Sequence, residues 1–265
     1  MNILTGMILG ILQGILEWLP VSSEGILTLV SINFLKISTL EAIKFSIWLH
    51  LGTFFAALFY FRKDIIGLIK HLPVYFKNFR FADEKTKLIN FLIISTLLTG
   101  LIGFPIFLFV LDFFSSISAK IMTFLIGLLL IMTGFIQKKS KEGFKDINAL
   151  KKEDGIILGF LQGFSILPGI SRSGVTTSGL LFRRFNSETA LKLSFLMSIP
   201  AIFAAEIGLG ILEGVEFSLA SVSSVLMSFL FGLLSIGLLL KIARKVEFWK
   251  FCIILGLISI ISILI

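Results

Sequence analysis

The chain is poor in charge. Only 15% of its 265 residues are charged, against 56% hydrophobic, and the mean hydropathy is +1.02. That balance excludes a soluble globular domain, which would carry more charge and fewer apolar runs near bilayer length. Cysteine is nearly absent. The single Cys252 cannot form an intrachain disulfide or a cysteine metal cluster, and reads as a small packing residue. The N-terminus lacks a basic region followed by a small-residue cleavage site, so no cleavable signal is expected. The net charge of +8 does not point to nucleic acid, because the bases fall in blocks between apolar runs.

What is present is a series of membrane-length segments. Runs at about 41–61, 88–111, 119–136, 188–210 and 218–240 are long enough to span a bilayer, and a sixth at about 247–265 closes the chain. Two further apolar regions are interrupted. Residues 3–35 break at Pro20-Val-Ser-Ser, and residues 155–182 break at Pro168-Gly-Ile-Ser-Arg-Ser-Gly. Each half is too short to cross, so each region is expected to be a re-entrant pair of half-helices lining protein or a polar cavity. The expected fold is an all-α integral membrane protein with about six transmembrane helices and two such pairs.

The basic residues orient this scheme. Arg62 to Lys87 and Lys138 to Lys152 are basic loops, with smaller clusters at Arg183-Arg184 and Lys241 to Lys245. The connections at 112–118 and 211–217 hold Asp112, Glu213 and Glu216 but neither lysine nor arginine. With both broken segments returning to their own side, the basic clusters are cytoplasmic and both termini lie outside. A repeat agrees. Gly10-Ile-Leu-Gln-Gly14 matches Gly159-Phe-Leu-Gln-Gly163, and Ser22 and Gly25 match Ser171 and Gly174 at the same offset. Lys44 and Lys192 recur one residue out of step. The expected domain is single, with repeat 1 at about 1–136 and repeat 2 at about 150–265. The basic loop 137–152 joins them, and they are inverted in the membrane. Broken helices in inverted repeats place a site where the breaks meet.

The breaks carry the chemistry. Gln13 and Glu17 are four apart and share a helix face. Pro20 cannot continue the helix, and Ser22 or Ser23 then stands where the next half-helix needs a cap. A helix start is also a ready anion site. In the second break Gly169 and Gly174 allow close backbone approach, and Ser171, Ser173, Thr176 and Thr177 supply hydroxyls. Arg172 supplies a planar fork suited to phosphate. An arginine at that depth calls for an anionic ligand or a static bridge to Glu17, and the ligand is the stronger account. The set suits the phosphate head of a lipid. A carboxylate beside that anion argues for a base or a held cation.

At this point "LQGILEWLPVSSEGI" and "LPGISRSGVTTSG" resemble the two signature segments of the undecaprenyl-diphosphatase family, the BacA or UppP type. The likeness continues through "FSIWLHLGTFFAALFYF" and "LSFLMSIPAI" to cover essentially the whole chain. The resemblance implies hydrolysis of undecaprenyl diphosphate to the monophosphate and phosphate at the outer face of the cell membrane. That reaction recycles the carrier for cell-wall glycans, and the family implies bacitracin resistance.

On that basis Ser23 is the candidate nucleophile, Glu17 its base and Arg172 the neutralising cation. Gln13, Ser22, Ser171, Ser173, Gly174 and Thr176 are candidate phosphate-binding residues. The family's histidine after Ser-Ser-x-Gly is replaced here by Ile26. Glu24 and His50 are the residues that could compensate. His71 reads as a surface residue, and Glu206 as facing water or a partner helix. A divalent cation (Mg or Ca) on Glu17 would have a thin ligand set. The expected partners are the polyprenyl diphosphate and membrane lipids, with no nucleic acid, and a homodimer is open. A carrier or flippase for an anionic lipid, or a small-anion transporter, would suit the same scaffold.

Overall fold

A computed structural model describes residues 2–77, 83–213, 218–243 and 246–264. Its α-helices are α1 (Ile3–Leu16), α2 (Ser23–Asn33), α3 (Thr39–Tyr60), α4 (Arg62–Lys77), α5 (Glu84–Ser116) and α6 (Ala119–Lys139). After a short 3-10 turn follow α7 (Lys152–Gly163), α8 (Arg172–Phe182), α9 (Ser187–Glu213), α10 (Leu219–Ala243) and α11 (Phe248–Ile261). Many starts are set by a cap. Asn2, Ser22, Ser38, Asp83, Ser118 and Ser171 each accept a first-turn backbone N–H.

Five helices contain stretches apolar and long enough to cross a bilayer: Thr39–Tyr60, Glu84–Val110, Ala119–Lys139, Ser187–Gly208 and Leu219–Ile242. No strand occurs among the described residues, where Lys145 and Phe185 form an isolated bridge. The protein is an all-α integral membrane protein. The sixth expected span differs in length. Helix α11 has 14 residues, about 21 Å of rise, which is short of a bilayer core of about 30 Å. It lies along α6 instead of standing alone.

The interrupted regions form pairs of short helices, with 14 and 11 residues in α1 and α2 and 12 and 11 in α7 and α8. Each falls below the roughly 20 residues needed to cross. Their packing is crossed. Helix α1 lies on α10, far along the chain, while α7 lies on α5. The matched glycine motifs are the reason. A Cβ on Gly14 would sit 2.7 Å from the Gly232 nitrogen of α10, and one on Gly159 would sit 2.8 Å from the Ser95 Cα of α5. Only glycine admits these approaches, the small-residue packing that joins helices where lipid removes the hydrophobic drive. The core beside them holds Trp18, Phe54, Phe91, Phe185 and Phe195. Trp18 Nε1 donates to the Gly232 carbonyl at 2.9 Å and meets Phe195 edge-on at 5.4 Å.

Most of the basic segments gather at one end. Lys87 Nζ donates to the Asn148 carbonyl at 2.7 Å, and Lys192 Nζ meets Asp64 at 2.6 Å. The Phe144 N–H donates to the Arg184 carbonyl at 3.0 Å. His71 ties α4 to the start of α5, with Nε2 3.1 Å from Thr86 Oγ1 and 3.2 Å from Asp83 Oδ1. It is thus a half-buried joint, not a free surface residue. The cluster at 241–245 lies partly outside the described residues.

At this end Arg183 Nε reaches Asp154 Oδ1 at 2.6 Å, with Asp154 1% exposed. Asp154 Oδ2 also accepts the Lys151 N–H at 2.8 Å. Removing one member of such a pair strands the other. We predict that Arg183→Ala, which leaves the buried Asp154 carboxylate without its cation, destabilises the protein by about 3–5 kcal/mol, read from unfolding in detergent. Arg183→Ala combined with Asp154→Ala should cost less than the sum of the two.

Candidate active site

Pro20 ends α1 just beyond Glu17, and Ser22 turns the chain into α2 with a left-handed φ of 61°. That conformation costs a non-glycine residue about 1–2 kcal/mol. The Ser22 hydroxyl offsets it by accepting two N–H groups, from Gly25 at 3.3 Å and from Gly169 in the other break at 3.2 Å. The two breaks touch there. A Cβ on Gly25 would lie 2.8 Å from the Gly169 nitrogen, and Gly169 itself has φ +107°. Ser23 and Arg172 follow as the first helical residues of α2 and α8, capped by Ser22 and Ser171. The N-termini of α2 and α8 therefore both lie beside the junction of the two breaks.

Glu17, with a side chain 3% exposed, is the hub. Its Oε1 pairs with Arg172 Nη2. Its Oε2 accepts from Ser23 Oγ at 2.7 Å and Gln13 Nε2 at 3.1 Å, and lies 3.2 Å from His50 Nε2. The opposite ring nitrogen of His50 is held 2.8 Å from the Ser46 carbonyl. Arg172 Nη1 is buried without a hydrogen-bond partner. Buried donors in folded proteins almost always have a partner, which makes this one a candidate contact for a ligand oxygen.

A cavity of about 180 Å³ opens on this cluster. Glu17, Ser22, Ser23, Ser171, Arg172 and Ser173 line it, with Glu24 and His50 beside them. Apolar side chains of α5 and α9, among them Phe104, Phe107 and Ala201, form the remaining wall.

Three of the expected phosphate ligands stand behind the cavity. Gln13 is fully buried and positions Glu17. Thr176 Oγ1 lies 2.7 Å from both the Arg172 carbonyl and Ser194 Oγ. Gly174 gives its N–H to Ser171 Oγ at 3.1 Å. Ile26 is half-buried on α2 and is not among the residues that line the cavity, whereas His50 arrives at Glu17 from α3. Glu206 faces the cavity and bonds the Leu51 backbone of α3, while its Oε1 is buried without a hydrogen-bond partner. The static bridge between Glu17 and Arg172 exists, and it leaves one guanidinium nitrogen over. Among the described residues no group of three histidine, cysteine, aspartate or glutamate side chains is placed to hold a metal ion. Both oxygens of Glu17 are also engaged, so the residues present fit a divalent cation poorly.

Sequence reasoning missed a supporting layer. Thr133 of α6 donates to the Gly169 carbonyl at 3.2 Å and accepts the Ser171 N–H at 3.3 Å. Gln137 Nε2 donates to the Pro20 carbonyl at 2.6 Å. Gln162 Nε2 binds Thr99 Oγ1 at 3.0 Å. A glutamine inside an apolar run was the available signal, because polar side chains at that depth face the protein interior.

The profile of the family described as bacitracin resistance protein BacA matches residues 6–261. The chain belongs to that family. Its curated relatives include the undecaprenyl-diphosphatase of Methanococcoides burtonii, 46% identical over 255 residues and 96% of each chain. That of Methanothrix thermoacetophila is 38% identical, covering 98% of this chain and 96% of its own. That of Alkaliphilus metalliredigens is 37% identical, covering 95% and 94%. The candidate site of this BacA-family chain lies where the two signature segments meet, with His50 added from α3.

The contact at Gly25 leaves no room for a side chain. We predict that Gly25→Val forces the two breaks apart and costs about 1–3 kcal/mol by overpacking. The shift in unfolding midpoint of the detergent-solubilised protein measures this.

Proposed function

We propose that the protein hydrolyses undecaprenyl diphosphate to the monophosphate and inorganic phosphate, recycling a lipid carrier and so conferring bacitracin resistance. The observation that carries this reading is the unpartnered Arg172 Nη1 beside Ser23 and Glu17, at the edge of a cavity within the membrane-embedded fold. The names of the relatives support it.

The mechanism follows from the contacts. Ser23 Oγ already donates to Glu17 Oε2 at 2.7 Å, the hydrogen bond that links a nucleophile to its base. Arg172 neutralises charge on the transferring phosphoryl group through its free nitrogen. Ser22, Ser171 and Ser173 surround the same position at two helix N-termini. Preorganised positive charge is most of what phosphoryl transfer asks of a protein. Gln13 and Thr176 act on Glu17 and Arg172 and do not touch the substrate. No step is routed through a metal ion.

The two halves form inverted repeats, and their crossed packing supports that arrangement. The membrane is the cell membrane, with the basic end cytoplasmic and the cavity served from the outer side. The gathering of basic segments at one end supports this side, while Lys36 lies in the connection between α2 and α3 and Lys120 in the first turn of α6. A carrier that binds the lipid without hydrolysis is the second reading, which the membrane-embedded cavity also accommodates.

Phosphate release from undecaprenyl diphosphate by the purified protein decides between them. Arg172→Ala should lower the rate by about 10³–10⁵-fold and Glu17→Gln by about 10²–10⁴-fold. Lipid binding without release would establish the carrier instead. Ile26→His should change the rate by far less than the about 10²-fold of a placed acid–base group, since position 26 is off the cavity. A cysteine at Lys70 in a Cys252→Ser background should resist an impermeant thiol reagent added outside, and labelling there would reverse the orientation.

A further inference from the structure

We propose that His50 is a catalytic residue of this site, the group that passes the attacking hydroxyl's proton to the departing lipid phosphate. The inference rests on the phosphatase reading and deepens it.

Three observations carry it. First, His50 is the one imidazole among the described residues that line the cavity, and its side chain is 15% exposed there. Second, its Nε2 lies 3.2 Å from Glu17 Oε2, the same oxygen that accepts from Ser23 Oγ. Nucleophile, carboxylate and imidazole therefore share one atom as their junction. Third, the ring is oriented. Its other nitrogen sits 2.8 Å from the Ser46 carbonyl, which can only accept, so that nitrogen carries a hydrogen. Every proton the residue exchanges must then pass through Nε2, on the cavity side. The ring stands in the middle of α3, a rigid span, and not on a loop.

The protons balance over two steps. Ser23 Oγ bonds to the terminal phosphorus, and the bond from that phosphorus to the bridging oxygen breaks. The Ser23 proton moves to Glu17 Oε2, and the Nε2 proton of His50 moves to the bridging oxygen, which leaves as lipid monophosphate. Glu17 then returns its proton to His50. In the second step water attacks the phosphoserine and the Oγ–P bond breaks. One proton of the water returns to Ser23 through Glu17, and inorganic phosphate departs.

The charged groups that face His50 are Glu17 from the end of α1, Glu24 from α2, Arg172 from α8 and Glu206 from α9. The neighbouring cavity residues of α5, Thr96 and Thr99, are uncharged, and so is Ser228 on the packed face of α10.

The test is kcat and KM for undecaprenyl diphosphate across pH, for the full-length wild type, His50→Gln and His50→Asn. The expected result is a kcat lower by about 10²–10⁴-fold, with KM little changed. A donor must hold its proton, so wild-type kcat falls as pH rises through its titration. That alkaline fall should vanish in both variants. Lipid binding and the unfolding midpoint should stay at wild-type values in His50→Gln, whose amide can still reach Glu17. A His50→Gln enzyme that keeps the wild-type rate, or keeps the alkaline fall at a reduced rate, overturns the proposal while leaving the phosphatase reading intact. A loss confined to KM or stability overturns it too, as a structural role. A wild type that releases no phosphate at any pH overturns the reading beneath it, and the proposal with it.

Discussion

An ion pair inside an apolar slab has to be satisfied by the protein itself. Glu17 and Arg172 come from sequence positions far apart and meet with side chains only 3% and 14% exposed, so the protein supplies most of their partners. Charges so placed cost several kcal/mol each unless geometry and hydrogen bonds are complete. Most of the surrounding structure follows from that demand. Gln13 and Ser23 fill one oxygen of the carboxylate, and Thr176 secures the backbone carbonyl of the arginine. Thr133 and Gln137 hold the two breaks that carry the pair. Among the atoms left without a partner are Arg172 Nη1 and, around the same cavity, Gln13 Oε1 and Glu206 Oε1.

The helices around the pair are placed by a different force. In lipid, apolar surface gains little by finding another apolar surface, so close backbone contact decides which helices pair. The glycines of α1 and α7 choose α10 and α5. This crosses the chain over itself, and α1 and α7 are each clasped by a long helix distant in sequence, while α2 and α8 lie on their neighbours α3 and α9. The breaks arrive at the same level because the helices that carry them are held this way.

Much of this was legible in the sequence, and the reasons are specific. Spans are set by length and apolarity, so five of them were readable. The last apolar run, read at about 247–265, holds the shorter helix Phe248–Ile261, because apolarity alone does not mark where a helix begins and ends. The breaks were readable because proline and paired serines cannot sit idle in an apolar run. The roles within the break were less so. Gln13 and Thr176 are polar and near the site, but whether a polar side chain faces a ligand or a neighbour depends on packing from elsewhere in the chain. His50 and Glu206 posed the same problem in reverse: each lies in an ordinary span, and only the assembled helices aim them inward. Ile26 and His50 are 24 positions apart in the sequence, yet only one of them reaches the cavity.

The hydroxyl of Ser22 accepts an N–H from each of the two breaks. It acts as a rivet between them. A machine that carried cargo by swinging one half against the other would shear that rivet at every cycle, along with the glycine seam beneath it. Held this way, the two breaks form one fixed seat for the side chains that line the cavity, so that a ligand comes to the seat and the seat does not travel with the ligand.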